Sequence, residues 1–261
     1  ELKASDDKIY VDQMGNLVAV KGQPKIALFC HLDKIGWMIS EISKGKITAV
    51  PLKKGKGLPG KSCWPVVIGK DGLINGILTE TDPQNHLLEI ILEKQFLKKI
   101  KMGDFVSLAP NFMSLGDNLV SSQGLDNKLG VLAGIEIFKQ NDDLAFVGTV
   151  REEAFKEGAK MAASKLKPKA AIILDVTYDE NPAQEYPIKI GQGPAICLKD
   201  DLLPDQKLVA GLLQTAKKYH IPYQLEGLES GGSDASALAD LPLYLPFVFV
   251  GIPIKFMHTP A

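Results

Sequence analysis

Arginine is almost missing from this sequence: of 30 basic residues, only Arg151 is an arginine, and the rest of the positive charge is lysine. A chain so poor in fork-shaped guanidinium has little material for bidentate recognition of phosphates or carboxylates. Arg151 stands beside two acids and suits an orienting role there, and a general lysine bias explains it equally well. Cysteine is scarce as well. Cys30, Cys63 and Cys197 are odd in number and widely spaced, which excludes a disulfide framework and points to a reducing cytoplasm. No apolar run approaches the roughly 20 residues of a membrane span. Nothing at the start has the layout of a signal peptide, although a chain beginning at Glu1 leaves a removed leader open. Net charge is lacking too: the formal value of −1 and the pI near 6.5 give no electrostatic footprint for nucleic acid or an anionic membrane.

What is present is ordinary globular material. The 261 residues are 45% hydrophobic and 23% charged, enough for one large core or two smaller ones. Ile9 to Val20 alternates around Met14-Gly15-Asn16 and predicts a hairpin, and Lys25 to Cys30 predicts a buried strand. From about Ile47 to Leu119 the texture changes to short β-like runs broken by Gly, Pro and Lys: Ile47–Leu52, Trp64–Ile68, Leu73–Thr79, Leu87–Leu92 and Phe105–Leu108. This spacing predicts a small β-barrel or sandwich inserted as a module. After Gly124 the pattern becomes a strand and helix rhythm: a helix over Leu129–Gln140, a strand over Leu144–Val150, a helix over Glu157–Leu166 and a strand over Ala170–Leu174. A helix opened by Pro204 and running to Tyr219, then a strand over Phe247–Val250, completes it. The expected fold is α/β, a mixed and mostly parallel sheet flanked by helices with an inserted small β-barrel. Residues 1–46 and 120–261 form the α/β domain and residues 47–119 the insert. The chain stops three residues after His258, where a closing helix over the sheet would be expected, so both ends look trimmed.

Chemistry concentrates where strands end. Glu152 and Glu153 follow the apolar run Leu144–Gly148, and neighbouring carboxylates at the mouth of a buried strand need a cation or a proton to tolerate one another. If the strand continues, their side chains point to opposite faces and do different jobs, one on a metal and one on a proton. The same disposition argues against a glycosidase, whose two carboxyl groups face each other across a sugar. The other strand ends offer His31, Asp33, Asp126, Asp175 and His258. Ligands of an open α/β sheet bind outside the carboxyl ends of its strands, so residues far apart in sequence converge there. Two imidazoles with three or four carboxylates suit a pair of zinc-like ions sharing one bridging carboxylate. Such a pair clamps a water, lowers its pKa and polarises a carbonyl, the chemistry of amide hydrolysis. Singly, each residue has a structural explanation: Asp126 and Asp234 suit helix caps, His220 a helix C-terminal charge and His86 a loop. Gly191-Gln192-Gly193 lacks the later glycine of a phosphate loop, and Ser233 is not in a nucleophile elbow.

The order His31-Leu32-Asp33, Leu125-Asp126-Asn127, Arg151-Glu152-Glu153, Leu174-Asp175, Gly231-Gly232-Ser233-Asp234-Ala235 and Met257-His258 resembles that of dinuclear metallo-exopeptidases. With the insert placed between Asp33 and Asp126, it resembles the tetrahedral, or glutamyl, aminopeptidase family in particular. The resemblance implies a cytoplasmic metal-dependent aminopeptidase using two divalent ions, zinc or cobalt with manganese as another choice. It implies that Asp126 bridges the metals, that His31 and Asp175 complete one site, and that Glu153 and His258 complete the other. Glu152 would be the general base that moves the proton from the metal-bridging water to the leaving amine, and Asp33 would accept a hydrogen bond from His31 and fix its tautomer. Peptides would be the substrates, and the barrel would build dimers that assemble into a hollow dodecamer. Four positions depart from the family pattern: Lys34, Asn127, Lys128 and Phe155. Lys34 reverses a charge near the site and Phe155 adds bulk. A dimetal deacylase or dipeptidase and a catalytically degenerate oligomeric scaffold are the alternatives.

Overall fold

The computed structural model describes residues 8–53, 63–69, 74–82, 87–179, 187–228 and 231–259; His86 lies outside them. The chain divides into two compact units, Glu1–Asp33 with Leu125–Met257, and Lys34–Gly124 with His258–Ala261.

The first unit is built on an eight-stranded mixed sheet. Its strands are β1 (Lys8–Val11), β2 (Leu17–Val20), β3 (Ile26–His31), β12 (Leu144–Thr149), β13 (Ala170–Tyr178), β14 (Ala195–Lys199), β15 (Gln224–Gly227) and β16 (Phe247–Ile254), and its order is β1-β2-β12-β3-β13-β16-β14-β15. The central β12, β3, β13 and β16 are mutually parallel. The β1–β2 hairpin forms because the Asp12 carboxylate accepts the backbone N–H groups of Met14, Gly15 and Asn16. Every residue of β12 is buried, as a strand covered on both faces requires. On one face α1 (Leu125–Gln140) packs Phe138 against Leu28, Cys30 and Phe146. On the other, α2 (Glu157–Leu166) and α4 (Asp234–Ala239) pack Ala159, Ala163 and Leu238 against Phe29 and Val147. Helix α3 (Gln206–Lys218) buries Val209 against Ile196 and Val248. It is opened by Asp205, whose Oδ1 accepts from the N–H groups of Lys207 and Leu208, rather than by Pro204. His220, after its end, adopts a left-handed backbone with φ 54°.

The second unit is a closed six-stranded barrel. Its strands are β4 (Gly36–Ser43), β5 (Lys46–Pro51), β6 (Cys63–Ile68), β7 (Ile74–Asp82), β8 (Leu87–Ile91) and β9 (Phe105–Leu108), in the order β4-β5-β8-β7-β6-β9. Trp37 and Trp64 meet edge to face in its interior, centroids 6.2 Å apart, with Ile39, Val66, Ile68 and Leu88 around them. Strand β4 comes from the stretch the sequence reading left in the α/β segment 1–46. A separate hairpin, β10 (Met113–Leu115) and β11 (Leu119–Ser121), follows the barrel. Among the described residues no helix is long and apolar enough to cross a membrane.

Candidate active site

The site forms at the carboxyl ends of β3 and β12 and beside Asp175 within β13, a strand expected to end at Leu174 that runs on to Tyr178. Thr149 sits opposite His31 in the β12–β3 ladder, and the β13–β3 ladder runs as far as Ile173 opposite Phe29. Continuing that register by two residues brings Asp175 level with His31. Beyond Ile173 the ladder stops, and the Leu174 carbonyl instead accepts a 2.8 Å hydrogen bond from Asn127 Nδ2. Asn127 Oδ1 in turn accepts from the Gly130 N–H at 2.9 Å, so one buried amide ties the start of α1 to β13. Asp126, the preceding residue, is thereby held beside Asp175. His31 Nε2 lies 2.9 Å from Asp126 Oδ1 and 3.3 Å from Asp175 Oδ1. Donor atoms of these three residues all lie within 4.8 Å of one another, as do those of Asp126 and Glu153.

Glu152 and Glu153 are not on a strand. Strand β12 ends at Thr149; Arg151 takes a left-handed backbone with φ 65°, and its carbonyl accepts from the N–H groups of Ala154, Phe155 and Lys156. The two acids therefore sit on a tight turn, and strand alternation does not set their directions. Asp33 sets them: its Oδ1 accepts from the Glu152 N–H and its Oδ2 from the Glu153 N–H, each at 3.1 Å. His31 Nδ1 donates to the backbone carbonyl of Asp33 at 3.0 Å, while the Asp33 carboxylate is 3.8 Å away. The expected orientation of His31 by Asp33 thus comes from the main chain, and the side chain has the second task. Asn16, fully buried, supports the same turn from the β1–β2 hairpin: Oδ1 accepts from the Val150 N–H at 3.0 Å, and Nδ2 donates to Gly158 O at 3.0 Å. The sole arginine does not orient these acids. Arg151 is exposed and has no ion pair among the described residues.

Electrostatically the cluster is short of positive charge. Burial pulls His31 down, but Asp175 and Asp126 outweigh it and hold the imidazole well above its ordinary pKa. Burial pushes Glu152 up to about 8, with His31 opposing and Asp175, Asp234 and Glu153 adding. Burial likewise pushes Asp234 up to about 7, although the hydroxyl of Thr149 donates to its Oδ2. Its Oδ1 is buried without a hydrogen bond, and Asp234 is not the cap of α4, since Ser233 Oγ takes that place by accepting from the Ala235 N–H. Divalent ions fit this donor set. With Nδ1 donating to a carbonyl, Nε2 of a neutral His31 presents a lone pair to an oxygen 2.9 Å away, which needs a proton or a metal in between. Mixed imidazole and carboxylate donors suit a zinc-like ion.

His258, half-buried and with φ 63°, is counted with the second unit, one residue beyond the end of the first. Of the residues departing from the family pattern, Asn127 has the tie just described, and Lys34 donates to Gln123 Oε1 at 3.0 Å. Lys128 is exposed, and Phe155 is 71% exposed. Sequence reasoning missed Asn16, Thr149 and Lys156. Asn16 and Thr149 make their contacts across more than 80 residues of chain, and Lys156 joins Ser236, 80 residues on, to Glu152, four residues before it.

Comparison with known proteins gives the family. A family model described as M42 glutamyl aminopeptidase matches residues 90–261. A protein of Acetivibrio thermocellus, provisionally named an aminopeptidase, is 34% identical over 100% of this chain and 84% of its own. The lysyl aminopeptidase of Pyrococcus furiosus is 26% identical over 99% of this chain and 82% of its own. Among solved structures, an aminopeptidase from the archaeon Desulfurococcus kamchatkensis superposes with a TM-score of 0.85 at 28% identity, covering 97% of this chain and 79% of that one. The TET1 peptidase of Pyrococcus horikoshii, which can assemble into a tetrahedron or a large octahedral shell, gives 0.83 at 26% identity over 98% and 84%. With two thirds of its length matched by the family model and the same fold as these peptidases, the chain belongs to the M42 glutamyl aminopeptidase family.

Proposed function

We propose that this protein removes N-terminal residues from peptides using two divalent metal ions and Glu152 as the general base. The observation that carries the reading is the meeting of His31 at the end of β3, Asp126 in the first turn of α1 and Asp175 in β13, with Glu152 and Glu153 buried on the turn beside them. His31 and Asp175 would hold one ion and Glu153 and His258 the other, with Asp126 shared; His258 enters by resemblance of sequence. When bound, ions of the zinc, cobalt or manganese type supply Lewis acidity, polarising the scissile carbonyl and acidifying water. Glu152 accepts the proton of the attacking water at a carboxylate oxygen and delivers it to the leaving amine nitrogen. Without metal ions burial raises Glu152 to about 8 and favours its protonated form; the cations the site would hold would favour the carboxylate that accepts the proton. Asp33 fixes the backbone of Glu152 and Glu153, so that the base and the metal-binding acid keep their separation. A homo-oligomer is part of the proposal, with the barrel unit as its dimerisation module, by analogy with the assemblies named for the TET1 peptidase. So is a cytoplasmic location, in keeping with three free cysteines.

The test is a panel of aminoacyl chromogenic substrates and N-acyl amino acids, run on metal-stripped protein with zinc, cobalt or manganese added back. Metal-restored cleavage of the free-amine substrates alone is expected. Cleavage of only the blocked substrates would turn the assignment to a deacylase, and silence with metals bound would leave an oligomeric scaffold. Glu152→Gln should keep both metals and lose nearly all turnover, whereas Glu153→Gln should weaken one metal site. Full activity in Glu152→Gln would refute its role.

A further inference from the structure

Among the described residues, Lys156 is a cation in contact with the proposed general base. Its Nζ lies 3.7 Å from Glu152 Oε1 and 3.3 Å from Ser236 Oγ, and its side chain is 14% exposed. An ammonium so withdrawn from water costs free energy unless its donors are used, which sets it apart from a solvated surface lysine. Its backbone is committed to this placement. Lys156 has φ 64°, the left-handed region that L residues avoid, and its N–H closes the turn on the Arg151 carbonyl at 2.6 Å. Gly232 completes the seat: a Cβ there would come within 2.4 Å of Nζ, so the ammonium occupies the space a side chain would fill. The lysine thus joins the turn after β12 to the segment around the start of α4.

We propose that Lys156 is a positioning residue for the reaction: its ammonium, anchored on Ser236, holds one carboxylate oxygen of Glu152 and leaves the other to accept and deliver the proton. This rests on the aminopeptidase reading above. A base that must reach both the water and the leaving amine gains from having its swing limited, since a misplacement of about 1 Å at a reacting group costs on the order of 100-fold in rate. A lysine that merely capped α2 would act on stability and leave the split between kcat and KM alone.

The experiment compares metal-loaded wild type, Lys156→Met and Lys156→Arg by steady-state kinetics on an aminoacyl p-nitroanilide, by metal content and by crystallography. Lys156→Met should lower kcat by about 10- to 100-fold with KM within about twofold and metal content unchanged. Lys156→Arg, which keeps the charge, should recover most of kcat. In crystals of Lys156→Met the Glu152 carboxylate should leave its wild-type position. A kcat within about twofold of wild type, or a loss that parallels loss of metal, overturns the proposal. If wild type itself cleaves no free-amine substrate, the aminopeptidase reading has failed, and the crystals still decide the contact. A Glu152 carboxylate unmoved in Lys156→Met then overturns it.

Discussion

Gly130→Ala is the sharpest perturbation of this site that touches none of its ligands. A Cβ at Gly130 would lie 2.2 Å from Asn127 Oδ1 and 2.5 Å from the Leu174 carbonyl oxygen, distances no real methyl tolerates. Neither neighbour can yield easily. Asn127 is buried and uses both ends of its amide, one on Gly130 N–H and one on Leu174 O, and Leu174 belongs to the central strand β13. Overpacking of this kind costs about 1–3 kcal/mol, and driving the amide away leaves a buried donor or acceptor unpaired at about 1–3 kcal/mol more. The expected loss is about 2–6 kcal/mol, a large share of the roughly 5–15 kcal/mol that holds a typical protein folded. Because Asn127 and Leu174 adjoin Asp126 and Asp175, metal affinity should fall with it, by about 10- to 100-fold, as for other changes behind a ligand. Urea unfolding of the metal-free protein measures the first effect, and competition with a chromogenic chelator the second. Gly211→Ala is the control: it lies inside α3 with nothing within 4 Å of its Cβ, and should stabilise by about 0.5–1 kcal/mol. If Gly130→Ala unfolds within about 1 kcal/mol of wild type and binds metal as tightly, the account of Asn127 as the tie between α1 and β13 is wrong.

Asp33→Asn should lower kcat by about 10- to 100-fold with both metals retained, because an amide cannot accept from two consecutive N–H groups as the carboxylate does; equal loss of metal and activity would contradict that role. Stability of the metal-free protein should fall as pH rises from about 4 towards 8. Glu152 and Asp234 titrate near 8 and 7 when folded but near 4 when unfolded, and His31 is also raised, so the folded state holds protons the unfolded chain has lost. Zinc should remove most of that slope in melts run from pH 5 upwards, and a flat or rising profile without metal would refute the burial argument.

The residues that meet in the site were legible because an apolar run stops beside them, at a strand or helix boundary for His31 and Asp126 and inside β13 for Asp175. His31 ends β3, and Asp175 lies level with it in β13. Helix α2 was read to its bounds from its Ala- and Lys-rich composition, and the barrel strands from turn residues between short apolar runs. Strand β4 was not, although Trp37 and Ile39 alternate inward, because it follows so soon on the His31-Leu32-Asp33 ligand pattern. Strands β14 and β15 were missed for another reason. They are only 5 and 4 residues long, and at the sheet edge they expose Leu198, Lys199 and Leu225. Least legible were the polar ties. Asn16 reaches Val150 across 134 residues and Asn127 reaches Leu174 across 47, and no local pattern marks an asparagine whose partner is a distant main-chain group.

The division of labour proposed for Glu152 and Glu153 has a different physical basis from the one the sequence suggested. Alternation along a strand would have sent the two side chains to opposite faces, but both lie on a turn, where direction follows from how the backbone is held. Four contacts hold it: Asp33 on both N–H groups, Asn16 on Val150 just before, the Arg151 carbonyl on three N–H groups just after, and Lys156 reaching back to Glu152 Oε1. Asp33 constrains both acids alike, so it cannot distinguish them. The distinction comes from what each carboxylate meets, Asp126 within ligand distance of Glu153 and the Lys156 ammonium beside Glu152. A carboxylate next to a second carboxylate is stable only with a cation between them, whereas Glu152 has a lysine on one oxygen and keeps a raised affinity for a proton. The asymmetry therefore resides in the neighbours of the pair and would survive exchange of the strand for any turn that preserved them.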